Sequence, residues 1–308
     1  MTTALFTHPA CLAHDPGRHH PESPARLRAI LEALSDPAFA ALDRREAPVA
    51  ALEDLARIHP RPFIEAIMAI IPQTGHAAID ADTIVSPNSG EAALRAAGAV
   101  VAAVDGVMAG EFDNAFCAVR PPGHHAEPNR AMGFCLFNNI AIGAARARYH
   151  HGCDRVAVVD FDVHHGNGTA AAFARDGHFF YASTHQSPLY PGTGLASEQG
   201  VGNIVNVPLP PQSDGQAFRA AFEERILPAL DTFRPEFLLI SAGFDGHRDD
   251  PLAALMLDEA DFAWATGELL DAARRHAGGR VVSSLEGGYN LAALATSAAA
   301  HVARLRVA

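Results

Sequence analysis

Short apolar runs and longer helix-like stretches alternate along the chain. Each short run carries Val, Ile, Phe or Leu at consecutive positions, which is typical of a parallel strand buried on both faces. These runs predict strands at Ala115–Val119, Arg155–Asp160, Phe179–Ser183, Phe237–Ser241 and Arg280–Leu285. The longer stretches predict helices at Ser89–Gly110, Leu136–His151, Gly215–Phe233, Leu257–His276 and Leu291–Arg306. Strands that alternate with helices indicate an α/β fold with one parallel sheet.

Composition and charge narrow the function classes. The chain has 308 residues, of which 49% are apolar and 19% charged, and these proportions exclude a disordered chain, a collagen and a coiled coil. The net charge is −12 and all 23 basic residues are Arg. An acidic chain without a basic cluster is not expected to bind nucleic acid. The lack of Lys and the abundance of Ala are typical of a bacterial protein from a GC-rich genome.

The sequence predicts a cytoplasmic protein that does not contact a membrane. The most apolar stretch, Ala92–Gly110, contains Arg95 and Asp105, which suits a buried helix better than a membrane span. The N-terminus lacks the basic start and apolar core of a signal peptide. The cysteines show no CxxC spacing and are expected to be free thiols in a reducing compartment. They are Cys11, Cys117, Cys135 and Cys153.

Polar residues follow four of the predicted strands. Ligands of parallel α/β sheets bind beyond the carboxyl ends of the strands, so chemistry is expected in these segments. The segments are RPPGHH (120–125), DFDVHHGNG (160–168), AGFDGH (242–247) and EGGYN (286–290). The sequence therefore predicts one site at the carboxyl edge of the sheet.

Two of these segments contain a set of metal ligands. Asp162 and His164 are two residues apart, so on extended backbone both side chains point to the same side. Asp245 supplies a third ligand from another loop. One His and two carboxylates leave a position open for water, the pattern of a catalytic zinc site, and the same donors also accept iron. Asp160 lies on the same side and is expected to orient the metal ligands without binding the metal itself.

The remaining segments contain groups that can move or donate protons. His124 and His125 follow two prolines and a glycine that fix the loop, and histidine exchanges protons near neutral pH. Tyr289 follows two glycines and can donate a hydrogen bond to an oxygen that gains negative charge. A metal, a His base and a Tyr donor together indicate hydrolysis of a carbonyl compound.

Five motifs in order resemble the histone deacetylase family, in particular its class II-like and bacterial members and the related acetylpolyamine amidohydrolases. They are RPPGHHAEPNRAMGFCLFNN (120–139), VVDFDVHHGNGT (158–169), YPGTG (190–194), SAGFDGHRDDPLA (241–253) and LEGGYN (285–290). The resemblance implies a single arginase/deacetylase-like catalytic domain over residues 1–308, with a parallel eight-stranded sheet flanked by helices. It also implies a zinc-dependent deacetylase that cleaves linear amide bonds of acyl-lysine.

The resemblance assigns roles to the reactive residues. One zinc ion would be bound by Asp162, His164 and Asp245. His125 would be the principal general base and acid, and Tyr289 would polarise the scissile carbonyl.

The two histidines would each have a partner. His124 would act electrostatically and pair with Asp160, while His125 would pair with Asn167. Some branches of the family have Asp where Asn167 stands, and an amide should leave His125 less basic than a carboxylate would.

The resemblance also implies a substrate tunnel. Phe134 and Tyr190 would form its walls, and the Gly133 carbonyl would accept a hydrogen bond from the substrate amide. Leu252 would lie at the rim, where polyamine-preferring relatives have an acidic residue, so it disfavours polyamines. Arg26 would lie below the zinc, near a pocket that releases acetate.

A structural potassium ion is implied as well. Its ligands would come from Asp160, Asp162, His164, Ser183 and Thr184. A second potassium site is implied at the backbone carbonyls around Phe173, Asp176 and Phe179.

Several alternatives stay open at this point. An acetylpolyamine or other small-amide amidohydrolase would use the same groups, and an inactive acyl-lysine binding module would keep them without turnover. A two-manganese ureohydrolase is disfavoured, because Asp245 is followed by Gly246 and His247 rather than by a second aspartate cluster. The expected partner is an acyl-lysine protein or peptide, or a small acetylated amine. The sequence leaves the acyl length and the oligomeric state open.

Overall fold

One sheet of eight parallel strands forms the centre of the protein, as seen in a computed structural model that describes residues 2–307. The strands of this sheet and of a separate short ribbon are, in chain order, β1 (Thr3–Thr7), β2 (Asp43–Glu46), β3 (Ala77–Ala78), β4 (Ile84–Val85), β5 (Asn114–Cys117), β6 (Val156–Asp160), β7 (Phe179–Gln186), β8 (Ile204–Leu209), β9 (Phe237–Ala242) and β10 (Val281–Leu285). The sheet order is β2-β1-β5-β10-β9-β6-β7-β8, while β3 and β4 form a separate antiparallel ribbon. The predicted parallel eight-stranded sheet is confirmed.

The five strands predicted from their apolar runs are the five neighbouring strands at the centre of the sheet. Every residue of β5, β6, β7, β9 and β10 is buried, which explains their continuous apolar sequences. Strands β2 and β8 are the edges, and both include partly exposed residues. The polar sequence DRRE of β2 therefore carries no buried-strand pattern.

Helices flank the sheet. They are α1 (Pro9–Ala13), α2 (Pro24–Ala33), α3 (Leu52–Leu55), α4 (Arg61–Ile70), α5 (Ser89–Ala109), α6 (Asn139–Tyr149), α7 (Asn167–Phe173), α8 (Gly215–Ala221), α9 (Leu227–Phe233), α10 (Glu259–His276) and α11 (Leu291–Arg306). One group, α5 and α6, packs on strands β1, β5, β10, β6 and β9, and another is formed by α2, α10 and α11. Four of the five predicted helices are present with ends shifted by at most 3 residues, and the fifth is interrupted.

The helix predicted over 215–233 is not a regular α-helix. A π-helical turn, Phe222–Ile226, separates α8 from α9. Pro228 has no backbone N–H, and its ring would collide with the carbonyl four residues earlier in a regular helix. The wider π turn directly before Pro228 accommodates that ring.

Helix α5 is long and apolar enough to cross a membrane, judged by length and composition alone. In the fold it contacts β1, β5, β10 and α6, and most of its residues are buried. Gly143 of α6 faces Val100 of α5 without space for a Cβ atom, so the two helices approach closely. These contacts are those of a core helix.

A buried ion pair holds the loop that follows β5. Glu22 is inaccessible to solvent and accepts hydrogen bonds from Arg120, which begins that loop, and from Arg26. His14 lies 3.2 Å from the same carboxylate. Burial by itself raises the pKa of Glu22, but the charge of Arg120 and the hydrogen bond with His14 outweigh it and hold the pKa well below its ordinary value. Glu22 is thus a buried anion that ties the N-terminal segment to the β5 loop.

We expect Glu22→Ala to lower the free energy of unfolding by about 3–5 kcal/mol, because it leaves buried guanidinium groups without their counter-charge. Chemical denaturation at neutral pH measures this. The matched control is Glu91→Ala, which removes the exposed partner of Arg95 and should cost less than about 0.5 kcal/mol. Because the folded pKa is depressed, the Glu22 contribution is complete above the ordinary value of 4.5 and is lost as pH falls below it. Equal costs for the two variants would contradict this role.

Candidate active site

The polar segments predicted to carry chemistry meet at one edge of the sheet. They follow β5, β6, β9 and β10, which are neighbours in the sheet order. Because all strands run parallel, their carboxyl ends lie at the same edge, and the loops after them converge.

Asp162, His164 and Asp245 form a buried cluster at this edge. His164 Nδ1 lies 3.1 Å from Asp162 Oδ1 and 3.1 Å from Asp245 Oδ2. One donor atom from each residue lies within 4.8 Å of the other two. Burial by itself lowers the pKa of His164, but its hydrogen bonds with the two carboxylates outweigh this and raise the pKa to about 10. Two buried carboxylates facing one imidazole need a further positive charge, and these oxygen and nitrogen donors fit a divalent metal ion.

Backbone amides hold the carboxylates of this cluster. Gly287 N–H donates to Asp162 Oδ2 (2.7 Å), and Val163 N–H donates to Asp245 Oδ1 (2.9 Å). A Cβ atom on Gly287 would overlap carboxylate oxygens of both Asp162 and Asp245. Gly287, the first glycine of the EGGYN segment, is therefore required because the carboxylates approach it closely and not because of an unusual backbone angle.

His124 and His125 lie side by side, with ring centroids 4.0 Å apart. His124 Nδ1 is 2.9 Å from Asp160 Oδ2, and His125 Nδ1 is 2.8 Å from Asn167 Oδ1. Burial lowers the pKa of both rings. In His124 the negative charges of Asp160, Asp162 and Glu286 outweigh burial and raise the pKa well above its ordinary value, whereas in His125 the positive charges of His124 and His164 add to burial and lower it further. Two adjacent imidazoles thus have opposite tendencies to hold a proton.

Tyr289 is positioned by its backbone and by a stacked cation. Its N–H donates to Asp250 Oδ2 (2.7 Å), and the same carboxyl group accepts from Leu252 N–H (3.0 Å). The guanidinium of Arg26 lies 4.8 Å from the Tyr289 ring centroid and donates to the backbone carbonyls of Glu286 and Gly288. Burial raises the pKa of the Tyr289 phenol well above its ordinary value, so the hydroxyl keeps its proton.

A cavity of about 230 Å³ leads to these groups. Phe134 and Tyr289 pack edge to face at 6.0 Å, and Tyr190 packs on His125 at 5.2 Å. The cavity is lined by Asp82, His125, Gly133, Phe134, His164, Leu189, Tyr190, Leu252 and Tyr289. The residues predicted to form the tunnel walls and rim therefore lie on one cavity with the candidate reactive groups. Arg26 does not line it.

Two residues of the site, Asp82 and Glu286, are not among those assigned a role from the sequence. Asp82 reaches the cavity from the loop between β3 and β4, and burial raises the pKa of its carboxyl group, as does the neighbouring Asp80. Glu286 is buried and accepts from Gly123 N–H (2.7 Å) and His124 N–H (3.1 Å). Only Glu286 had an available signal, since it opens the EGGYN segment.

The residues predicted to hold potassium lie on adjacent strands. Asp160 of β6 is paired with Ser183 of β7, and Thr184 follows. Thr184 Oγ1 is buried without a hydrogen-bond partner among residues 2–307. A buried oxygen without a partner, on the strand that pairs with Asp160, suits a cation held by oxygen ligands.

At the predicted second potassium site the backbone carbonyls meet a side-chain amide. The carbonyl oxygens of Phe173, Asp176 and Phe179 all accept from Nδ2 of Asn203, at 2.9, 3.1 and 2.7 Å. Asn203 Oδ1 accepts from Val201 N–H, which fixes the direction of the amide. The side-chain nitrogen lies within hydrogen-bond distance of all three carbonyl oxygens, so these oxygens have a donor without an ion.

Comparisons with known proteins found similar chains that cover nearly all of this one. The model of the histone deacetylase domain matches residues 20–305. A histone deacetylase-like amidohydrolase of Pseudomonas aeruginosa is 40% identical, over 94% of this chain and 82% of that protein. A probable deacetylase of Archaeoglobus fulgidus is 36% identical, over 94% of this chain and 82% of its own length. The solved structure of the HDA15 HD domain superposes with a TM-score of 0.93 at 35% identity, over 98% of this chain and 88% of that one.

We expect Gly287→Ala to abolish divalent-metal binding, because the added methyl group would displace carboxylates of the Asp162–His164–Asp245 cluster. Isothermal titration with Zn²⁺ measures the loss, and thermal unfolding shows whether the variant stays folded. The control is Gly177→Ala, where an added Cβ meets no atom within 4 Å. A folded Gly287→Ala variant with wild-type zinc affinity would show that this cluster is not the metal site.

Proposed function

The chain belongs to the histone deacetylase family, and from that membership we propose that it is a metal-dependent hydrolase that removes acyl groups from the side-chain amine of acyl-lysine. One observation supports the proposal best. A single cavity with aromatic walls is lined by His164 of the metal-ligand cluster, by His125 and by Tyr289. A straight acyl-lysine side chain that enters this cavity would bring its amide to all three groups.

The metal would be held by Asp162, His164 and Asp245. Zinc is the ion we propose, since one imidazole and two carboxylates are a ligand set of catalytic zinc sites, although the same donors accept iron. When bound, such an ion polarises a carbonyl and lowers the pKa of a water molecule.

The two histidines would divide the work of proton transfer. The pKa of His125 is lowered by burial and by the neighbouring positive charges, so the ring is neutral and can accept the proton of the attacking water. It would then deliver that proton to the leaving amine nitrogen. His124 would stay positively charged beside Asp160 and stabilise negative charge that develops in the cavity.

Tyr289 would donate a hydrogen bond from its hydroxyl group to the oxygen of the tetrahedral intermediate. The raised pKa keeps the phenol protonated, as a donor requires. Asp250 and Arg26 hold the Tyr289 backbone and ring from two sides, so the donor is positioned before substrate arrives.

The cavity walls would select the substrate chain. Phe134, Tyr190 and Leu189 present apolar surface that suits the methylene groups of a lysine side chain. The Gly133 carbonyl would accept a hydrogen bond from the scissile amide N–H, and Leu252 would contact the substrate at the rim.

Potassium and the compartment are the remaining parts of the proposal. A structural potassium ion would be held at Asp160, Asp162, His164, Ser183 and Thr184. The four cysteines are buried free thiols, which supports a reducing compartment such as the cytoplasm.

A small acetylated amine is the second candidate substrate, and Asp82 favours it. Its carboxylate lies at the same cavity as Leu252, so the rim does offer an anion to an ammonium group. The same carboxylate can also accept hydrogen bonds from the backbone N–H groups of a peptide. The apolar side chain of Leu252 and the aromatic walls of the cavity favour the acyl-lysine peptide.

We expect kcat/KM for an acetyl-lysine peptide to exceed that for acetylputrescine and acetylspermidine. Side-by-side assays with the zinc-loaded enzyme measure this, and longer acyl-lysines included in the same series define the acyl preference. Asp82→Asn separates the two uses of this side chain, because an amide keeps an acceptor oxygen for peptide N–H groups but loses the charge that an ammonium group needs. We expect kcat/KM to fall for acetylpolyamines only. A higher kcat/KM for either polyamine would replace the first candidate by the second.

We expect Tyr289→Phe to lower kcat by about 10²–10³, the typical cost of losing a donor to the oxyanion. His125→Ala should lower kcat by about 10²–10⁴ through loss of the proton carrier, and the double variant should lose less than the product because both act on one intermediate. Tyr149→Phe, on the surface, is the control for a lost phenol. Unchanged kcat in Tyr289→Phe at full zinc content would refute the role of Tyr289.

A further inference from the structure

Asn167 stands between His125 and a carboxylate outside the cavity. Its Oδ1 is 2.8 Å from His125 Nδ1, and its Nδ2 donates to Glu127 Oε1 at 2.8 Å. The other neighbours of Nδ2 are weaker acceptors, Met132 Sδ at 3.4 Å and the His125 backbone carbonyl at 3.5 Å. Glu127 is the strong acceptor in this set, because it is a carboxylate at short distance.

The chemistry of the amide makes this contact directional. A carboxylate only accepts hydrogen bonds, so the NH₂ end of Asn167 must face Glu127 and the carbonyl end must face His125. The Asn167 carbonyl also only accepts, so His125 Nδ1 must carry the hydrogen. The Nε2 lone pair of His125 is then free to take a proton from water.

The opposite orientation would disable the base. If the Asn167 amide turned over, its NH₂ group would face His125 Nδ1, which would have to accept. The ring hydrogen would then lie on Nε2, and the nitrogen needed for proton uptake would be blocked. A carboxylate at position 167 would not have this weakness, because both of its oxygens accept.

We propose that Glu127 is a positioning residue: the hydrogen bond it accepts from Asn167 fixes the amide and, through it, the proton-accepting form of His125. This role rests on the proposed function of His125 as general base. Glu127 is partly buried and lines a cavity of about 240 Å³ that also contains Asn167 and Glu198. It lies outside the cavity that holds the substrate groups, so it acts on catalysis only through Asn167.

The first test is Glu127→Ala, assayed with an acetyl-lysine peptide. We expect kcat to fall about tenfold with KM within about twofold of wild type, because loss of an orienting partner typically costs about 10–100-fold. The control is Glu198→Ala, which removes a carboxylate from the same cavity without contacting Asn167 and should leave kcat unchanged. Wild-type kcat in Glu127→Ala would overturn the proposal.

The second test separates positioning from a general structural effect. In an Asn167→Asp background both oxygens at position 167 accept, so Glu127 is not needed to orient that residue and instead faces it as a second carboxylate; adding Glu127→Ala should therefore not lower kcat. A tenfold loss in both backgrounds would place the effect in the loop structure and overturn the proposal. Glu127→Gln can accept through its oxygen or donate through its NH₂ group, so it no longer dictates the orientation of the Asn167 amide, and kcat should lie between those of wild type and Glu127→Ala. A kcat in Glu127→Gln below that of Glu127→Ala would contradict the proposal.

A third measurement does not depend on turnover. The ¹⁵N chemical shifts of His125 report which ring nitrogen carries the hydrogen, in wild type and in Glu127→Ala. We expect protonated Nδ1 in wild type and a substantial Nε2-protonated fraction in the variant. An unchanged tautomer would refute the positioning role. Absence of peptide hydrolysis by the wild type would refute only the proposed function.

Discussion

Buried negative charge at the carboxyl edge of the sheet is the constraint that organises this protein. Five carboxyl groups there have no solvent access, namely those of Glu22, Asp160, Asp162, Asp245 and Glu286. An ionised carboxylate in such a place costs several kcal/mol unless it is paired and hydrogen-bonded. Arg120 and Arg26 neutralise Glu22, and the pKa of Glu286 is raised to about 7 because burial disfavours its charged form. The Asp162–His164–Asp245 cluster has only one imidazole for two carboxylates, which is why it is the place where the fold fits a metal ion.

The same constraint explains why the loops of the site are rich in glycine. Backbone N–H groups donate to the buried carboxylates, Gly123 to Glu286 and Gly287 to Asp162. At both glycines a Cβ atom would overlap neighbouring atoms of the site. The segments that hold the reactive side chains therefore also hold the donors that stabilise the acidic core. A substitution at one of these glycines changes the charge balance as well as the local shape.

Much of this arrangement could be predicted, because its causes are local. Continuous apolar sequence identifies a strand buried on both faces, as in β6 and β9, and the spacing of Asp162 and His164 places both on one side of the chain. The edge strand β2 has no such pattern, and its polar sequence belongs to the sheet only through pairing with β1. Asp82 and Glu127 reach the site through loops whose position depends on the whole fold. Their contacts join residues 40 or more positions apart in sequence, which no local pattern records.

Asn203 has a side chain where an ion was expected, and the difference affects how the sheet assembles. An ion exchanges with the medium, so its occupancy depends on salt concentration and its uptake is a separate step in folding. An amide is part of the chain from synthesis onward and is always present at one equivalent. The three carbonyls at Phe173, Asp176 and Phe179 are therefore satisfied as soon as β7 and the residue before β8 come together. The polar groups that join these two strands are thus matched within the chain itself, without help from the medium.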